Sequence, residues 1–340
     1  MGNAIGVFRS AVAVALGLCC MAAAQAGPFS ALYAFGDSLS DVGNDYIITG
    51  GAVPTAAHYT DGSNVGRFTD GLNYLDLMAG SLGVSLGPSV AGGTDYAFGG
   101  ARTSYVVAGL PPTALSFNQQ IASFDLAHTT ADPNALYVLW IGANDMSDAI
   151  SAYLGGNPGA IGNAITNAMS GIGAAVSDLS GRGAEHFLVL NLPDLALVPA
   201  ISGVGNPALD ALAQFASQQF NLALANTLAT SAFSSLAISQ LDVYGLLNDV
   251  VDNPGSYGLT NVMDSCYTGN VDGSSIGGAP VTTCADPSQY AFWDFEHPTA
   301  AVHAILAQQA VAAVPEPSTW SLLLVAVGLI AFVRWPRTSN

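Results

Sequence analysis

The chain has no lysine. Its basic side chains are six arginines, Arg9, Arg67, Arg102, Arg182, Arg334 and Arg337, against 24 acidic residues, for a net charge of −18 over 340 residues. Three of the arginines sit in the end segments, so the middle of the chain is strongly acidic. Such a chain has almost nothing with which to neutralise phosphates, which argues against a nucleic-acid partner. It also argues against docking on anionic lipid through a basic patch. Charged residues of any kind are scarce, at 9%, whereas 51% of residues are hydrophobic. A sizeable core can therefore form. No internal repeat is visible, and cysteine is limited to four residues.

The two ends carry their own signals. A single arginine, the apolar run "AVAVALGLCCMAAA" and "AQA" at 24–26 read as an export signal over residues 1–26, with cleavage before Gly27. Bulky residues before Cys19 and Cys20 do not suit a lipoprotein cleavage box. Export leaves Cys266 and Cys284, which predicts one disulfide in an oxidising compartment. The loop between them is rich in Gly, Ser and Thr and has little to pack. Closing it stabilises by roughly 3 kcal/mol on chain-entropy grounds. A metal pair is the weaker alternative, because the loop offers no further His or Cys.

At the other end, Pro315-Glu316-Pro317 is followed by an apolar run from Trp320 to Val333 and then by Arg334 and Arg337. The run is short for the ~20 residues of a usual membrane span, yet it lacks the polar face of a core helix. These three parts, in this order, resemble the PEP-CTERM sorting tail of Gram-negative bacteria, here residues 315–340. The resemblance implies recognition by a membrane-bound exosortase and removal of the tail. The product would then be at the cell surface or outside, after a transient inner-membrane anchor. It also suggests a producer of extracellular polysaccharide.

Between the ends, residues 27–314 alternate strand and helix patterns. Strands are expected over 29–36, 135–145, 186–193 and 235–244, and helices over 71–83, 163–183, 206–232 and 297–314, with Pro298 near the start of the last. Continuous apolar strands alternating with helices predict an α/β fold, a three-layer αβα sandwich around a mainly parallel sheet. Sites in such sheets form past the C-terminal ends of strands. Ser38, Asn144 and Asn191 all fall there.

The polar stretch after the first strand, "FGDSLSDVGN", reads either as a surface turn or as a nucleophile turn carrying Ser38. A nucleophilic serine needs a base, an orienting acid and oxyanion donors. Of the five histidines, only His297 sits in a setting of the right kind, "WDFEHPT", with Asp294 three residues before it in a turn that leads into a helix. Glu296 is the rival acid. Asn144 in "WIGAND" and the paired glycines of "YAFGGA" are the candidate oxyanion donors.

Together "FGDSLSDVGN", "YAFGGA", "GAND" and "DFEHP" resemble the four blocks of the GDSL (SGNH-hydrolase) lipases and esterases, over most of residues 27–314. The resemblance implies Ser38 as nucleophile and oxyanion donor, Gly100 and Asn144 as further oxyanion donors, Asp294 as orienting acid and His297 as base. Gly99 is the alternative to Gly100. Asp37 would shape the turn. No cofactor or metal is implied. The implied activity is hydrolysis of carboxylic esters, of lipids, short acyl chains or acetylated polysaccharide. The contrasting reading is a non-catalytic matrix protein on a hydrolase scaffold, and a third is a membrane-tethered enzyme whose tail stays attached.

Overall fold

A computed structural model describes residues 29–105 and 115–314. The expected signal segment, 1–26, and the sorting tail from Pro315 lie outside the described residues. Among the described residues no helix is long and apolar enough to cross a membrane.

In chain order the elements are β1 (Leu32–Gly36), α1 (Asn44–Ile48), α2 (Tyr74–Leu82), α3 (Phe117–Ala127), β2 (Leu136–Trp140), α4 (Ala143–Leu154), α5 (Ala160–Gly181), β3 (His186–Leu190), α6 (Pro199–Ser202), α7 (Pro207–Leu228), β4 (Ala237–Leu241), α8 (Val243–Asp252), β5 (Asn261–Ser265), β6 (Tyr290–Phe292) and α9 (Ala300–Ala313). The main sheet runs β1-β2-β3-β4, and all its pairings are parallel. β2 is buried along its whole length, as its unbroken apolar sequence requires. Phe35, Tyr137, Leu139, Phe187 and Val189 from the strands share one core with residues of α3, α4, α5 and α7. On the other face α2 and α9 pack together, and Tyr74 of α2 meets Trp140 of β2 edge-on at 5.3 Å. The α/β sandwich expected from the alternation is the fold observed.

Helix starts follow their capping residues. Asn73 and Asp76 form a capping box at α2, and Asn206 accepts from Ala208 N–H at the start of α7, where Pro207 needs no partner. The last helix begins two residues beyond Pro298, after Thr299. Three strand expectations ran too far. Residues 143–145 open α4, β3 stops at Leu190, and β4 stops at Leu241 because the Asp242 side chain accepts from Gly245 N–H and caps α8. The small β5-β6 pair was not expected from the sequence. Cys266 and Cys284, next to it, are joined by the expected disulfide.

Candidate active site

The turn after β1 is fixed without help from the Ser38 hydroxyl. Gln120 of α3 clamps the strand end, accepting from Gly36 N–H at 2.9 Å and donating to the Gly36 carbonyl at 2.8 Å. The Asp37 carbonyl accepts from the N–H groups of Ser40 and Asp41, and Asp37 Oδ1 accepts from Leu39 N–H. Burial pushes the Asp37 carboxyl up to about 7, against the pull of the Leu39 hydrogen bond.

Ser38 Oγ lies 2.8 Å from His297 Nε2. On the far side of the ring, Nδ1 is 2.8 and 3.0 Å from the two oxygens of Asp294. Asp294 Oδ1 also accepts from the N–H groups of Glu296 and His297, and Oδ2 accepts from the Tyr59 hydroxyl at 2.6 Å. Every other neighbour of this carboxylate is a donor, so Nδ1 carries the imidazole hydrogen and Nε2 is left as the base toward Ser38. Burial works against the charge on Asp294, but His297 and Tyr59 outweigh it and hold the carboxyl below its usual range. Burial also works against an imidazolium at His297. The charge and hydrogen bond of Asp294, with Glu296 and Asp37 beyond it, reverse that and raise His297 above an ordinary imidazole.

Tyr59 is a contact the sequence did not announce. It is 1% exposed and meets Tyr267 and Trp293 edge-on, and those two rings stack at 5.6 Å. The Phe68 ring lies 5.3 Å from the His297 imidazole. Glu296, the rival acid, lines the cavity in front of Ser38 and does not reach the His297 ring. Asn191 turns to α8, accepting from Tyr244 N–H and donating to Asp242. The G-x-S-x-G spacing of other hydrolases occurs at 83–87 and 273–277. Among the described residues neither Ser85 nor Ser275 meets a histidine.

The segment 94–98 runs along the other edge of β1. Ala34 N–H donates to Thr94, Tyr96 N–H to Ala34 and Phe98 N–H to Gly36. This pairing delivers Gly99 and Gly100 beside the end of β1. Gly99 N–H donates to Asp41 Oδ2 at 3.3 Å, and a Cβ there would fall 2.3 Å from the Phe68 ring. The N–H groups of Gly100 and Ser38 meet no acceptor among the described residues. Asn144 sits in the first turn of α4 and donates one amide hydrogen to the Ala101 carbonyl at 3.0 Å, which orients the second. The chain enters α4 through Gly142, whose φ is +121° and whose Cβ would come within 2.4 Å of the Phe220 ring. Ser38, His297 and Asn144 line one cavity of about 90 Å³. Gly100 does not line it but lies one residue from the carbonyl that Asn144 holds.

Comparison with known proteins gives the family of the chain. Residues 32–310 match the family model of GDSL-like lipase/acylhydrolase, and residues 313–337 match the PEP-CTERM protein-sorting motif. The chain is 30% identical over 291 residues to an acetylesterase of Thermothelomyces thermophilus, covering 80% of this chain and 90% of that protein. It is 28% identical over 323 residues to the GDSL esterase/lipase At4g16230 of Arabidopsis thaliana, covering 82% and 85%. It is 26% identical over 338 residues to a phosphatidylcholine-sterol acyltransferase of Aeromonas hydrophila, covering 83% and 89%. The sorting motif implies export, cell-surface sorting in a Gram-negative bacterium and recognition by an exosortase. The chain belongs to the GDSL-like lipase/acylhydrolase family and is a carboxylic-ester hydrolase.

Proposed function

We propose that the enzyme works through an acyl-enzyme formed on Ser38. His297 Nε2 takes the Oγ proton as Oγ attacks the ester carbonyl. The oxyanion accepts from Ser38 N–H, Gly100 N–H and Asn144 Nδ2. His297 then gives its proton to the departing alkoxide, leaving acyl on Ser38. In the second half His297 takes a proton from water, hydroxide adds to the acyl carbon, and Ser38 leaves with the proton returned. Asp294 keeps the imidazole in the required tautomer throughout. The observation that carries this reading is the unbroken chain of contacts from Ser38 Oγ through His297 to Asp294. A fluorophosphonate should label the protein once, on the peptide that contains Ser38. Labelling elsewhere, or none in active protein, would reject the mechanism. In the mature enzyme, residues 27–314 make up the catalytic domain. The tail anchors it at the inner membrane until an exosortase acts at Pro315–Pro317. The enzyme's substrate is a lipid ester, a short-chain ester or an acetylated polysaccharide, so acetylated xylan belongs beside nitrophenyl esters of graded length in the first substrate screen.

Two results are expected from this arrangement. Asn144→Ala should lower kcat by roughly 10²–10³ with a smaller change in KM. A raised KM at constant kcat would make Asn144 a binding residue only. In wild type, kcat/KM should fall on acidification through a pKa above the ~6.5 of free imidazole. The sign follows from His297: its protonated form is favoured by Asp294 and cannot accept the Ser38 proton. A rate profile that is flat from about pH 5 to 8 would remove His297 as the base.

A further inference from the structure

A second cavity adjoins the one in front of Ser38. Its wall is made by Trp140 at the end of β2, Leu247 and Val250 of α8, Phe292 of β6, and Val302 and Leu306 of α9. All six are apolar. Leu39, Pro193, Val198 and Glu296 line this chamber and also the catalytic cavity. Leu39 follows Ser38 in the chain and Glu296 precedes His297, so two of the four shared residues are chain neighbours of the pair that lines the catalytic cavity. Glu296 is the one ionisable residue of the lining, and it is among the shared four.

We infer that this chamber receives the acyl chain of the substrate, and that the enzyme prefers straight short-chain acyl esters, near butanoyl, over acetyl esters. The inference rests on the acyl-enzyme reading, because the chain must continue from a carbonyl carbon held at Ser38 Oγ. The chamber has a volume of about 60 Å³, where a water-sized group takes about 30 Å³ of packed volume. It therefore holds on the order of two to three methylene-sized groups. An acetyl methyl leaves room in it, and a butanoyl tail fills it. Its apolar wall offers nothing to a sugar hydroxyl, so a carbohydrate would have to lie on the alcohol side of the ester. Each methylene moved from water into such a wall is worth about fourfold in kcat/KM.

The test uses the purified enzyme and p-nitrophenyl esters from acetate to decanoate. In wild type, kcat/KM should climb about fourfold per methylene up to about butanoate and then level off or fall. Val302→Phe should fill the chamber and lower the butanoate-to-acetate ratio by about tenfold. Leu247→Ala should enlarge it and move the optimum to longer chains. The ratio within one protein cancels any loss of folded enzyme. A wild-type profile that peaks at acetate overturns the assignment. So does a ratio that both variants leave unmoved. Calorimetry of butanamide on Ser38→Ala protein reads the chamber without turnover. Binding at least tenfold tighter than acetamide, weakened by adding Val302→Phe, supports it, and equal binding overturns it. If no ester is cleaved in a Ser38-dependent way, the hydrolytic reading fails and the amide titration alone decides the chamber.

Discussion

Ser38→Ala is expected to cut ester turnover by on the order of 10⁶ and to leave the fold in place. The size of the effect comes from the way a nucleophile and its base act as one unit, so that losing either member costs nearly as much as losing all. The stability half of the expectation comes from the turn. Gln120 holds Gly36 by two hydrogen bonds, and the Asp37 carbonyl and carboxylate hold Leu39, Ser40 and Asp41. None of these contacts involves Ser38 Oγ, whose partner is His297. Thermal unfolding of the variant should therefore shift by no more than a surface substitution does, about 0.5 kcal/mol. Residual turnover near wild type in a folded Ser38→Ala protein would place the chemistry elsewhere.

Asp294→Asn should be the next most damaging change, lowering kcat by on the order of 10⁴. The carboxylate accepts from the N–H groups of Glu296 and His297, from Tyr59 and from His297 Nδ1. An amide has only one accepting atom. With its oxygen on the two backbone donors, its NH₂ faces the imidazole. Nδ1 must then accept, and the ring hydrogen moves to Nε2, where it cannot take the proton of Ser38. The same change removes the main charge that raises His297, so the acid limb of kcat/KM should move to lower pH. That shift separates a positioning role from simple damage. A variant with the activity loss but an unmoved limb would mean that Asp294 acts through structure alone.

The meeting of Ser38, His297 and Asp294 is readable from sequence because each lies in a short contiguous block with fixed spacing. Asp294 and His297 are three residues apart, and backbone N–H bonds to the same carboxylate fold that spacing into a tight turn. Asn144 is readable as a residue past an apolar strand, but not as the first turn of α4, since nothing in "GAND" distinguishes a turn from a helix start. Tyr59 is invisible for a different reason. Its partner Asp294 is 235 residues away, and an isolated tyrosine carries no pattern. Gly99 and Gly100 look alike in sequence. They differ only in three dimensions, where Asp41 occupies the N–H of one and not of the other. The apolar chamber adjoining the catalytic cavity is made of residues from several elements, each of which reads separately as ordinary core.

Ser38 and its partner His297 are separated by 259 residues. β1 finds its strand partner, β2, only about a hundred residues later, and the histidine turn follows the last strand of the main sheet. A nascent or freshly translocated chain thus carries its serine from the outset but gains a working base only when its far end has docked. Contacts of such long range are among the last to repay their loop-closure entropy. Hydrolysis is then a reporter of completed folding. A chain halted after β4 would hold all of the main sheet and still be silent toward esters.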